Sequence, residues 1–178
     1  MNPLWSNIFK KGSEEDSLAH FLGNVPVFAD LGKRDLALLE KLVHCRHYRA
    51  NETVFEEGDP GSGMYVIRSG QISIYLRHRE SHSEEELTRL GPGDFFGETT
   101  LTAPSNRTAA ARTLEPTELV GLFRADLLET AEKNPAVASK ILFGLTRVVS
   151  ERLQAAGYEI RRLHKLNQQI ASHPETAG

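Results

Sequence analysis

The pattern of apolar and polar positions changes twice along the chain, near Arg46 and again after Phe123. Before Arg46 the spacing is helical. Leu18, Phe21 and Leu22 give residues 13–22 one apolar face, with Ser13 as a cap and Glu14, Glu15 and Asp16 favouring the helix start. Residues 24–31, with Pro26, read as a linker. Leu36, Leu39, Leu42 and Val43 predict a second helix over 32–45. Ahead of these lies an arm, residues 1–12, whose Trp5 and Phe9 are expected to pack on the domain.

Between Arg46 and Phe123 the period is close to two. Tyr48, Thr53, Val54 and Phe55 read as strand, and 58–63 is dense in turn residues. Strands are predicted at 64–69 and 71–76 around Gly70, where Ile72, Ile74 and Leu76 alternate with polar residues. The charged stretch 77–86 reads as a solvated hairpin tip, followed by a strand at 87–90 and a tight turn at 91–94. Closing strands are predicted at 109–113 and 118–123, with Pro116 between them. Short strands with frequent glycine turns indicate a sandwich, barrel or roll.

After Phe123 the helical period returns. One helix is predicted over 125–133, and Asn134-Pro135 opens a second that runs to about residue 170. On it Val149, Leu153, Ala156, Ile160, Leu163, Asn167 and Ile170 are spaced alternately by four and three, a heptad seam with Asn167 at an a position. Gly144 and Gly157 interrupt this helix at about 1 kcal/mol each relative to alanine. The pattern divides the chain into an arm and short helix (1–24), a central unit with flanking helices (25–134), a long helix (135–170) and a tail (171–178).

Composition narrows the function classes. A chain of 178 residues holds one domain with extensions, and a net charge of −3 argues against one built to coat nucleic acid. Cys45 is the one cysteine, so no internal disulfide forms. No apolar run reaches the ~18 residues that span a bilayer, and the first residues lack a secretory pattern. A cytoplasmic location and no membrane partner are expected. His78 and His82 lie at helix-face spacing in a stretch that does not look helical, so no metal is expected there. His44, Cys45 and His47 fall at a predicted helix end and read as structural. No nucleophile–base set stands out, and no catalytic residue is expected.

The candidate chemistry is concentrated in Phe95-Phe96-Gly97-Glu98-Thr99-Thr100-Leu101 and, nine residues after Glu98, Arg107-Thr108-Ala109. Gly97 lets a backbone approach closely. One helical turn after it offers free N–H groups to an anion. Arg107 supplies a guanidinium fork shaped for phosphate. Glu98 is acceptor-only when ionised and suits a sugar hydroxyl. Together these groups describe a site for a nucleotide with one small phosphate.

Phe96-Gly97-Glu98 followed by Arg107-Thr108-Ala109 resembles the phosphate-binding cassette of the cyclic nucleotide-binding domain family. Phe55, Gly58, Gly61, Tyr65 and Gly70 resemble that family's upstream pattern, and the likeness runs from about residue 25 to 155. It implies a mainly β fold with flanking helices (α+β), a double-stranded β-roll or jelly roll with N-terminal helices and a long C-terminal helix.

The resemblance implies that Arg107 pairs with the cyclic phosphate, that the backbone N–H groups of Thr100 and Ala109 add contacts, and that Glu98 and Gly97 hold the ribose 2′-hydroxyl. Phe96 and Thr99 complete the cassette. Thr108 sits where a hydroxyl reaches phosphate or a guanine amino group. In the family this occurs in cGMP binders and in some cAMP-responsive domains; cAMP is expected ahead of cGMP. Leu101 occupies the position that couples to the hinge, with Phe123, Leu127 and Leu128 as candidate packing partners. Arg152 or Arg147 on the long helix is a candidate lid residue. The expected protein is a stand-alone sensor without a DNA reader, dimeric through the long helix, that signals to a protein partner and needs no cofactor beyond cAMP or cGMP as ligand. The alternative is a non-binding roll that serves as an interaction scaffold, because Thr99 and Thr100 are unusual in the cassette turn and their hydroxyls can compete with the helix. A metal-dependent enzyme on a similar roll is not expected, since 64–76 holds no histidine.

Overall fold

The computed structural model describes residues 17–78, 81 and 83–172. The arm with Trp5 and Phe9, the proposed cap Ser13, His82 and residues 173–178 lie outside the described residues. The first described helix, α1 (Leu18–Gly23), is capped by Ser17, whose Oγ accepts from the His20 N–H at 3.1 Å. The expected linker after it is instead a buried 3-10 turn, Pro26–Phe28: Val25, Val27 and Phe28 are apolar and enter the core. Helix α2 (Lys33–Leu42) ends three residues earlier than the spacing predicts. Val43 is already extended, and His44 to Tyr48 pair with a distant strand. His44, Cys45 and His47 therefore lie on a strand and not a helix end, and Cys45 is exposed. Partial desolvation of the thiol, and then the negative charge of Glu118, raise the Cys45 pKa.

The strands are β1 (His44–Tyr48), β2 (Thr53–Phe55), β3 (Pro60–Gly61), β4 (Gly63–Ser69), β5 (Ile72–Arg77), β6 (Glu84–Leu90), β7 (Phe95–Phe96), β8 (Ser105–Asn106), β9 (Ala110–Thr113) and β10 (Thr117–Phe123). They pair antiparallel in the orders β1-β10-β4-β7, β2-β9-β5-β6 and β3-β8. This is the β-roll, with helices before it and a long helix after it. Strand β6 begins three residues before the sequence expectation. Glu84 and Glu85 pair in register with Arg77 and Leu76, and the Arg77–Glu84 ion pair at 3.0 Å lets a charged segment extend the ladder. His78 bonds Glu85 at 2.9 Å within this hairpin.

Two cores meet at the sheet that contains β4. Met64 and Val66 on β4, Phe95 on β7, and Val120 and Leu122 on β10 face the helices. Tyr65, Ile67, Phe96 and Leu119, from the alternate positions, face the other sheet. Because side chains alternate across a strand, β4, β7 and most of β10 are covered on both faces and read as nearly unbroken apolar runs, whereas the edge strand β1 is exposed.

Helix α3 (Thr99–Thr102) follows β7, and α4 (Arg124–Lys133) follows β10. Helix α5 (Pro135–Ser172) starts at Pro135 as predicted. Val137, Ile141, Leu145 and Val148 bury one stripe of it against the helical core, and the same spacing leads to Arg152. Beyond Arg152 the described helix surface is almost wholly open: Leu153, Ile160 and Leu163 are 72, 68 and 56 % exposed.

Gly144 lies on the packed half. A Cβ there would come 2.0 Å from the Val27 carbonyl oxygen, so this glycine lets α5 close on the 3-10 turn. Gly144→Ala is expected to destabilise the fold by about 1–3 kcal/mol, since the overlap with backbone outweighs the gain in helix propensity. At Gly157 an added Cβ would meet nothing within 4 Å, and the same change should gain up to about 1 kcal/mol. Thermal melts of the two variants check the contrast, and equal shifts would refute the close packing at Gly144.

Candidate functional site

Strand β7 and helix α3 place the cassette residues at the end of the roll. Phe96 pairs in register with Tyr65 on β4, and its ring stacks on Tyr65 with centroids 5.6 Å apart. Gly97 has φ +76°, a conformation that favours glycine, and a Cβ there would lie 2.4 Å from Arg107 Nη1. The turn of α3 thus closes over the arginine only because position 97 has no side chain.

Arg107 is 6 % exposed. Its Nη1 donates to the Gly97 carbonyl at 3.0 Å and to Thr100 Oγ1 at 2.9 Å, and its guanidinium lies 4.1 Å from the Phe55 ring centroid. Among the described residues no carboxylate reaches it within ion-pair distance; Asp59 and Glu98 act on it only through space. Burial is the main influence on its pKa and lowers it, yet a guanidinium stays charged in proteins. A buried cation with only neutral hydrogen-bond partners is unfavourable alone and strongly attracts an anion.

Glu98 stands at the N-cap position of α3. Arg152 Nη1 donates to Glu98 Oε1 at 2.8 Å, and Arg152 Nη2 donates to the Phe95 carbonyl at 3.2 Å. The Arg152 guanidinium also lies 4.1 Å from the Phe95 ring centroid. The helix α5 therefore reaches the cassette through Arg152. Arg147, the other lid candidate, turns away to Asp30 at 2.9 Å and the Pro26 carbonyl at 3.1 Å, because it lies off the Val148–Arg152 stripe.

A cavity of about 390 Å³ joins these groups. Phe96, Gly97, Glu98, Thr99, Arg107, Thr108, Ala109 and Arg152 line it, so eight of the nine expected site residues share one pocket. Thr100, the ninth, is fully buried behind Arg107, and its N–H donates to the Gly97 carbonyl at 3.3 Å. Thr99 and Thr108 are exposed at the rim. The rest of the wall is Phe95, already in the candidate stretch, and Phe55, Ile74, Thr88 and Leu90, whose lining role sequence reasoning missed. Ile74 and Thr88 are cross-strand partners, so the β5–β6 register carried the missing signal. One end of the pocket is thus cationic, one side acidic, and the wall apolar, an arrangement suited to phosphate, sugar and base.

Leu101 is fully buried in the helical core with Leu127, whereas Phe123 packs against the other core. Leu128 is 60 % exposed and does not pack on Leu101, because it lies on the outer face of α4.

A family model described as cyclic nucleotide-binding domain matches residues 45–134. The cyclic AMP receptor protein of Thermus thermophilus is 33% identical over 135 residues, 76% of this chain and 60% of that protein. A cGMP-dependent protein kinase of Drosophila melanogaster is 30% identical over 89 residues, 50% of this chain and 10% of the kinase. The crystal structure of the Thermus thermophilus catabolite activator protein matches with a TM-score of 0.69 at 31% identity, over 78% of this chain and 63% of that one. The chain spans 60% of the length of the cyclic AMP receptor protein it resembles.

Proposed function

The chain belongs to the cyclic nucleotide-binding domain family, and from that premise we propose that it is a sensor for a cyclic mononucleotide, cAMP ahead of cGMP, and signals through a protein partner. The observation that carries this reading is Arg107, buried, charged and without a carboxylate among the described residues, at the end of a pocket of about 390 Å³. In the proposed mode Arg107 takes the cyclic phosphate and the Ala109 N–H adds a contact; the Thr100 N–H, expected to add another, donates instead to the Gly97 carbonyl. Glu98 accepts from the ribose 2′-hydroxyl. Its pairing with Arg152 offsets the repulsion that a free carboxylate would exert on the phosphate. Phe55, Ile74, Thr88 and Leu90 surround the base. The preference for cAMP is supported by the relative named a cyclic AMP receptor protein, which matches more of the chain than the cGMP-dependent kinase does.

The role is regulatory, as in the family, and the output is conformational. Ligand that alters the Glu98–Arg152 pair acts directly on α5. The seam beyond Arg152 is proposed to join two copies of the chain. Ligand shifts the helix only by its differential affinity for the two arrangements.

A thermal melt with cAMP, cGMP or 5′-AMP tests the reading. A ligand at 100 times its dissociation constant should add about 2.7 kcal/mol and raise the midpoint by several degrees. A rise with one cyclic nucleotide and none with 5′-AMP supports the sensor and names its base. No rise with any of the three overturns it in favour of a non-binding scaffold.

A further inference from the structure

We propose that Thr100 is a positioning residue whose hydroxyl aims the Arg107 guanidinium, an inference that rests on the phosphate role given to Arg107 above. Thr100 is fully buried. Its Oγ1 accepts from Arg107 Nη1 at 2.9 Å and has one proton to donate, with the Gly63 carbonyl at 3.2 Å and the Gly97 carbonyl at 3.1 Å in reach. A threonine in a single helical turn commonly bonds back to a nearby carbonyl. That habit accounts for the Gly97 contact and not for the bond from Arg107.

The surroundings are shaped for this side chain. A Cβ at Gly61 would lie 2.3 Å from Thr100 Cγ2, so the β3 backbone gives way to the threonine. From the opposite side Arg124, the first residue of α4, donates through Nη1 to the Thr100 carbonyl at 3.1 Å. The hydroxyl is thereby fixed through both its side chain and its backbone.

The chemistry of the choice is informative. A carboxylate at this position would orient Arg107 equally well, but it would neutralise the guanidinium and repel an incoming phosphate. A methyl group would leave the charge free and remove one of the two hydrogen bonds that set its direction. A hydroxyl orients the cation and leaves its charge available to an anion.

The test compares Thr100→Val, which keeps the shape and removes the hydroxyl, with Thr100→Ser, which keeps the hydroxyl. The first measurement uses the protein without nucleotide. The Arg107 guanidinium N–H signals, assigned by NMR through their loss in Arg107→Ala, should be resolved and slowly exchanging in the original protein and in Thr100→Ser. In Thr100→Val they should broaden and exchange faster. Guanidinium signals in Thr100→Val identical to the original would overturn the proposal, whatever the protein binds. The second measurement is calorimetric titration with cAMP and cGMP. Thr100→Val should weaken binding at least about tenfold, Thr100→Ser should restore it, and Thr100→Val should add nothing in an Arg107→Ala background. A full, additive loss in that background would assign Thr100 a role independent of Arg107 and overturn the positioning argument. If Thr100→Val fails to fold, Thr100→Ala against Thr100→Ser asks the same question. A protein that binds neither nucleotide contradicts the sensor reading, while the NMR arm still decides the role of Thr100.

Discussion

Arg107→Ala is expected to weaken cyclic-nucleotide binding by roughly 2–3 kcal/mol, on the order of a hundredfold in dissociation constant. The large effect follows from where the side chain sits. Arg107 is 6 % exposed and meets only a carbonyl, a hydroxyl and aromatic rings, so an anion there would be its one full charge partner among the described groups. Burial has already removed much of its hydration, and a phosphate gains the attraction without displacing a competing carboxylate. The same reasoning predicts little loss of stability in the ligand-free variant, because the desolvation of the charge opposes its two hydrogen bonds. Calorimetric titration with and without the substitution, alongside melts of both ligand-free proteins, separates the two effects. Unchanged affinity would remove Arg107 from the phosphate site.

Leu153→Asp combined with Ile160→Asp should reduce the sedimentation mass from that of two chains to that of one, 19.8 kDa. Residues 153–172 extend about 30 Å at the usual helical rise, and every residue from 153 to 169 except the half-buried Gly157 is exposed. A helix with an open apolar stripe gains little from propensity alone and depends on a partner surface. Each Leu or Ile buried in the seam contributes about 1.5–3 kcal/mol, and an aspartate at the same place adds a desolvated charge facing its own copy. Asn167 at an a position favours one parallel register. A double variant that still sediments as two chains would reject this interface. Nucleotide binding should persist in the single chain, since Arg107, Glu98 and the pocket wall come from one copy.

The cassette was legible because its chemistry is local. Gly97, Glu98 and Arg107 lie within a short stretch, and backbone turn, acid and guanidinium each have a reason to be there. The long helix was legible from the heptad spacing after Val149. Arg152 was harder to place. Its selection over Arg147 becomes decidable once Val137, Ile141, Leu145 and Val148 are known to face the roll, because the stripe then continues to position 152. The apolar wall stayed hidden for a different reason. Ile74 reads as an ordinary core residue on an alternating strand, yet Ser73 and Tyr75, its neighbours, are the more deeply buried ones. Ile74 shares its face with Ile72 and packs on the second core; that this same face also lines the pocket depends on how β5 pairs with β6 and β9, which leaves little trace in local period. The strand His44–Tyr48 was missed at its start for the same reason: its partner, β10, lies far along the chain at Thr117–Phe123.

Arg152 and Leu153 are adjacent on one helix, the first held to the cassette and the second the start of the open seam. Each added residue turns an α-helix by about 100°. The pocket and the proposed interface would therefore share a fixed angular phase. One inserted residue between positions 152 and 153 would rotate the seam away from its partner while leaving the pocket intact, whereas an insertion of about seven, two turns of helix, would restore the facing and only lengthen the arm. A dimer joined by this seam would thus act as a keyed shaft, in which the length of the helix and the angle of its seam can be set separately.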